Sequence, residues 1–166
     1  MMLKSDYKNF FHHQVMDNIL VEVVGRKKVV LFPPSNAPFL YLTGDKSQVT
    51  NIDEPDLVKF PKFAQSTRYE CMLDGGDVLF IPALWFHHVT AIDFAVAVNV
   101  FWRHLPKELY DSKDPYGNKD PLPAQRALQM VDKATKLLDT LPEDHKQFYC
   151  LRLISSIENK LSVSKN

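Results

Sequence analysis

Hydrophobic and polar positions along this chain change period twice, first at a strand spacing and later at a helical one. Residues 18–24 (Asn-Ile-Leu-Val-Glu-Val-Val) are β-branched and apolar, Gly25-Arg26 makes a turn, and residues 27–32 (Lys-Lys-Val-Val-Leu-Phe) resume the same character. This pattern predicts a β-hairpin. Alternation puts Lys27, Val29 and Leu31 on one face and Lys28, Val30 and Phe32 on the other, so one lysine shares a face with core aliphatics whichever side is buried. That lysine is either a functional cation or a side chain that snorkels to water beyond the packed part of the strand. Pro33-Pro34 ends the pair, because proline cannot donate to a ladder. Residues 39–67 mix turn chemistry (Thr43-Gly44-Asp45, Asp53-Glu54-Pro55-Asp56) with a short helical turn over 57–63, and read as a surface excursion.

Strand character returns over residues 68–73, 78–81, 87–90 and 94–102. The last run alternates Phe94, Val96, Val98, Val100 and Trp102 against Ala95, Ala97, Asn99 and Phe101. Its small face, with Asn99 on it, either lines a ligand pocket or accommodates a neighbouring strand. After His104-Leu105-Pro106 the composition turns to Asp, Pro, Gly and Asn, a loop over 111–123. Helical spacing then governs residues 124–141, Pro142 breaks it, and residues 143–161 restore it. These features predict a mainly β chain followed by an antiparallel helix pair, whose apolar stripe packs either on the β-part or on a second copy as a homodimer. The division expected is a divergent segment over 1–14, a β core over 15–105, and a linker with helices over 106–166.

The candidate chemistry centres on residues 75–89, where a Gly-Gly-Asp turn feeds a short strand, Pro82 stops it, and an aromatic cluster delivers His87 and His88. Side chains alternate across a strand, so only one of the two faces a given interior. A buried imidazole beside Trp85 and Phe86 needs either a hydrogen-bond partner or a metal. Twenty basic and twenty acidic residues give a net charge of zero in 166 residues, which argues against strong sequence-independent binding to nucleic acid. The length suits one domain. Two cysteines, Cys71 and Cys150, in a chain with no run of about 18 apolar residues point to a reducing, cytoplasmic or nuclear setting and no membrane span.

Three ordered motifs add a family. Val15-Met16-Asp17-Asn18, the run Gly25 to Pro34, and the run Gly76 to His87 together resemble the JmjC family of iron and 2-oxoglutarate dependent oxygenases. Asn51 to Leu57, Asn99-Val100-Phe101-Trp102 and Tyr116 to Pro121 extend the match to that family's branch acting on the wybutosine base of tRNA. The resemblance implies a double-stranded β-helix, a jelly roll of cupin type, present here as its later part. It implies Fe(II) held by His12, by position 14 and by His87, with His88 an outer neighbour. It also implies that Lys27 pairs with the distal carboxylate of 2-oxoglutarate, that Asn18 hydrogen-bonds this cosubstrate, and that Asn99 lies at the same pocket.

The chain departs from the family at one ligand. The motif calls for Asp two residues after the first histidine, and Gln14 stands there, a neutral oxygen in place of a carboxylate. His13 is expected to face away from His12, and residues upstream of Val15 do not resemble the family. Two readings stay open: a hydroxylase of wybutosine-type tRNA, or of a protein side chain, and a non-catalytic family member serving as a dimerisation partner or scaffold. In the second, missing strands are expected to leave an open apolar sheet edge.

Overall fold

A computed structural model of the protein describes residues 12–44, 46–115 and 117–163, with the side chains of 12, 162 and 163 outside that set. Most of the expected segment 1–14 therefore lies outside the described residues, as does Tyr116. The chain divides into two compact units, residues 1–121 and 122–166. The polar, proline-rich passage before Leu122 ends the first unit.

Among the described residues the first unit holds nine strands: β1 (His12–His13), β2 (Asp17–Val24), β3 (Arg26–Phe32), β4 (Leu42–Thr43), β5 (Lys46–Ser47), β6 (Tyr69–Asp74), β7 (Val78–Ile81), β8 (Phe86–Ala91) and β9 (Val96–Trp102). One sheet has the order β4-β5-β1-β8-β3-β6 and the other β7-β2-β9, and every pairing is antiparallel. This is a partial jelly roll, as the fold class expected.

The predicted hairpin does not form. β2 pairs with β7 and β9, whereas β3 pairs with β6 and β8, so the two strands belong to different sheets. The reason lies at Gly25, which takes φ of +87° and turns the chain from one sheet to the other. A Cβ there would run into the Phe94 carbonyl oxygen, so the corner also depends on close backbone approach. A Gly-Arg pair reads equally as a hairpin turn and as this corner, and only the long-range pairing separates them.

Between the sheets, Leu20 of β2 packs against Val29 of β3 and Leu73 of β6, with Leu31, Leu79, Val89 and Ala97 around them. The opposite face of β3 and β8 carries a second core, in which Val30, Phe32 and Phe86 are covered by Leu40, Val49, Ile52, Phe60 and Phe63. Residues 39–67 run largely over the surface, as expected, while these five side chains turn inward and cover the core. Their helical turn is a 3-10 segment over Pro61–Gln65. At its rim Lys28 and Arg68 converge on Asp53, and the Arg68 hydrogen bond, with that of Lys28, holds the Asp53 carboxyl below the usual range.

The outer face of β7-β2-β9 leaves Val78, Phe80, Val98 and Val100 about half exposed, with Phe80 stacked on Trp102 at 5.8 Å. The second unit is α1 (Leu122–Leu138) and α2 (Glu143–Val163), close to the bounds that the periodicity predicts, with Pro142 between them. No described helix is long and apolar enough to cross a membrane.

Candidate active site: the inward faces of the two sheets

Register alone fixes which side chains meet. In the larger sheet His12 pairs with His87, His87 with Leu31, and Leu31 with Tyr69, a single cross-strand row. Two residues along β3 the row is Val29 with Val89 and Cys71, and two further it is Lys27 with Ala91 and Leu73. These rows share the face that packs on Leu20. His87 therefore points between the sheets and is 8% exposed, whereas His88, opposite Val30, lies on the other face. The parity expected of the two histidines holds. His12 stands beside His87 by backbone pairing, with its side chain outside the described residues.

The loop that leads into β8 also fastens the early part of the site. Leu84, in the left-handed region at φ 67°, donates its N–H to the Gln14 carbonyl oxygen at 2.7 Å. Ala83 N–H donates to Asp17 Oδ1 at 2.9 Å, and His104 Nδ1 lies 3.3 Å from Asp17 Oδ2. A non-glycine residue in this conformation costs on the order of 1 kcal/mol, held in place here by surrounding contacts. His87 Nδ1 faces the Trp85 carbonyl oxygen at 3.2 Å, which fixes the ring's orientation. His13 turns to the other side, edge-on to Phe86 at 5.1 Å and with Nε2 3.4 Å from Asp120 Oδ1. Val15 N–H donates to the Gly117 carbonyl oxygen, which ties Gly117 to the residues just before β2.

On the smaller sheet, Asn18, Leu20 and Glu22 form the inward face of β2, opposite Phe101, Asn99 and Ala97 of β9. The small face of β9 does look inward. Ala97 packs in the core and Asn99 opens to solvent, at the uncovered side of this half barrel. Asn18 is 4% exposed, and its Oδ1 has no hydrogen-bond partner among the described residues. Lys27, with a side chain 16% exposed, reaches across to Glu22, its Nζ 3.2 Å from Oε2. Glu22 is fully buried. The contact is an ion pair by distance but not aligned as a hydrogen bond, which leaves both Glu22 oxygens without a hydrogen-bond donor. The snorkelling alternative for Lys27 is therefore excluded, while Lys28 on the other face pairs with Asp53 and Glu70.

Glu22 is the residue that the sequence pattern did not single out. Its signal was present: a lone acid in a β-branched run, four residues after Asn18 and so on the same strand face.

The donor set bears on a metal as follows. Gln14 Oε1 is buried with no hydrogen-bond partner among the described residues, the kind of orphaned oxygen that a cation satisfies. Among the described residues no three His, Cys, Asp or Glu side chains come together, because Gln14 takes the carboxylate's place and the His12 side chain lies outside the set. Among the described side chains, this face offers a dication one imidazole, His87, and one neutral amide oxygen, Gln14, with no carboxylate where the resemblance calls for one. Burial pushes the Cys71 thiol up, on the inward face of β6.

A family model described as a cupin-like domain matches residues 4–108. The chain belongs to the cupin-like domain family. Its relatives narrow the likeness further. It is 56% identical over 155 residues to the tRNA wybutosine-synthesizing protein 5 of Homo sapiens, a match covering 93% of this chain and 49% of that protein. The Danio rerio protein of the same name is 55% identical over 154 residues, with 93% and 47% covered. The tRNA wybutosine-synthesizing protein 4 of Gibberella zeae is 35% identical over 149 residues, 89% of this chain and 14% of that protein. The chain spans about half the length of the first two, and the JmjC-type resemblance carried by its motifs agrees with both likenesses.

Proposed function

We propose that this chain serves wybutosine-type tRNA modification as an Fe(II)- and 2-oxoglutarate-dependent hydroxylase. The observation that carries the reading is the inward row His12–His87 on paired strands, with the orphaned Gln14 oxygen beside β1 and Lys27 and Asn18 on the same interior. Identity to wybutosine-synthesizing relatives across 93% of the chain supports the tRNA substrate, which a net charge of zero does not supply by itself.

In this reading His87, His12 and Gln14 hold the iron. The bound metal, with 2-oxoglutarate and dioxygen, supplies the oxidising power that inserts one oxygen atom into a C–H bond, with succinate and carbon dioxide as the other products. The chain's own side chains position the cosubstrate. Lys27 offers the ammonium for its distal carboxylate. Asn18 presents its buried amide, which donates or accepts according to how the group is rotated. Asn99 stands at the solvent side, where a bulky base would enter. Leu20, Val29 and Leu31 give this interior an apolar wall.

One assay tests the reading. Purified protein receives Fe(II), 2-oxoglutarate and tRNA carrying the unhydroxylated wybutosine-type base, and the nucleosides are analysed by mass spectrometry. The expected result is a gain of one oxygen on that base with matching succinate. Succinate and modified base both at background, in protein shown to contain iron, contradict it.

A second reading, a non-catalytic family member, is favoured by Gln14, since a neutral amide leaves the dication one charge short. In either reading the helical unit supports a homodimer. Leu128, Val131 and Leu137 of α1 and Phe148, Ile154 and Ile157 of α2 are exposed apolar residues of the kind that association covers. Light scattering at micromolar concentration is expected to give twice the 19.1 kDa chain mass, and the mass of one chain contradicts the dimer.

A further inference from the structure

We propose that Glu22 sets the ligand charge of this site by occupying Lys27 itself, so that a dicarboxylate binds only by taking the ammonium away from it. The inference rests on the reading above that Lys27 receives the distal carboxylate of 2-oxoglutarate. It is carried by the geometry of the pair. Lys27 Nζ is 3.2 Å from Glu22 Oε2, and no other carboxylate of a described residue lies within ion-pair distance of that nitrogen. Glu22 is fully buried, and neither of its oxygens has a hydrogen-bond donor, so Lys27 is the partner that offsets its burial.

The backbone prevents Glu22 from moving aside as a unit. Its N–H donates to the Asp77 carbonyl oxygen at 2.9 Å, and its own carbonyl oxygen accepts from Gly76 N–H at 2.7 Å. The β6–β7 turn thus clamps residue 22 from both sides, and a Cβ added at Gly75, on the same turn, would stand only 3.1 Å from the Val23 carbonyl oxygen. Only the side chain is left to rotate, within an interior lined by Leu20, Leu73 and Ala97. A ligand carboxylate arriving at Lys27 therefore meets a second anion at close range, in surroundings where like charges repel strongly.

Glutamine at position 22 keeps the size of the side chain, removes the competing charge, and adds an N–H donor facing the incoming carboxylate. The pocket's balance changes from Lys27 cancelled by Glu22 to an uncompensated ammonium, which suits an anion.

Calorimetric titration of the full chain, with saturating Mn(II) as a redox-inert metal, tests this with two probes. These are 2-oxoglutarate and glutarate, which keeps both carboxylates but lacks the 2-oxo group that a metal chelates. The expected result is that Glu22→Gln binds both probes at least about tenfold more tightly than wild type. The double variant Glu22→Gln/Lys27→Met, which leaves no buried charge at the pair, should lose that gain. If Glu22→Gln and wild type bind alike and the double variant binds more weakly, Glu22 does not compete, although Lys27 still receives the ligand. If the double variant binds as tightly as Glu22→Gln, Lys27 is not the anchor and the underlying reading fails too. Failure of wild type and Glu22→Gln to bind either probe overturns both. Far-ultraviolet circular dichroism of each variant confirms the fold before titration.

Discussion

Replacing Lys27 by alanine is expected to destabilise the β-unit by about 3–5 kcal/mol, the cost of leaving a buried charge without its partner. The size of the effect follows from where the two charges sit. Glu22 is 0% exposed, its oxygens receive no hydrogen bond, and Lys27 Nζ at 3.2 Å is the cation that balances it. An exposed pair is worth much less, about 0.2–1 kcal/mol, and the Lys136–Asp132 pair on α1 is of that kind. The double variant Lys27→Ala/Glu22→Gln should recover most of the loss, because no unpaired charge stays inside. Urea unfolding followed by tryptophan fluorescence measures this selectively, since Trp85 and Trp102 both lie in the first unit and the helices contain none. A loss below about 1 kcal/mol for the single variant, in the range of an exposed pair, would show that the buried contact does not form.

The second large effect is at the metal. Gln14→Asp replaces a neutral oxygen by a carboxylate at a position where the oxygen is buried and has no donor to satisfy it. Without a cation this substitution should cost stability, since a carboxylate placed there without a hydrogen bond is penalised by burial. With Mn(II) or Fe(II) the sign reverses, and affinity should rise about tenfold or more, equivalent to about 1.4 kcal/mol. Thermal melts of wild type and variant with and without Mn(II) read both signs in one experiment. Equal metal-induced shifts in the two proteins would place Gln14 outside the metal's reach.

Much of this site is legible in the amino-acid sequence. Period-two alternation places Lys27 with Val29 and Leu31, separates His87 from His88, and puts Ala97 and Asn99 on one face, because these rest on the strand repeat alone. Pairing partners are not legible. The sequence around Gly25 is the same for a tight hairpin and for a corner between sheets, and the Phe94 carbonyl that makes the glycine necessary is 69 residues away. The cover over residues 39–67 escapes the pattern because Leu40, Val49, Ile52, Phe60 and Phe63 follow no repeat, so their common face exists only once the chain has folded back on Phe32 and Phe86. Glu22 is hidden by its type. An acid in a strand is ordinarily taken for a solvent-facing residue, and only its spacing from Asn18 marks it as inward.

In the proposed function the inward row of the larger sheet is a metal pole, and His87 is its described imidazole. Equilibrium binding of Mn(II) to wild type and to His87→Ala, followed by the loss of the free ion's electron paramagnetic resonance signal, tests it most directly. The expected result is one site per chain in wild type and its loss in His87→Ala with the fold intact by circular dichroism. Binding of the same stoichiometry and affinity in both proteins would contradict it.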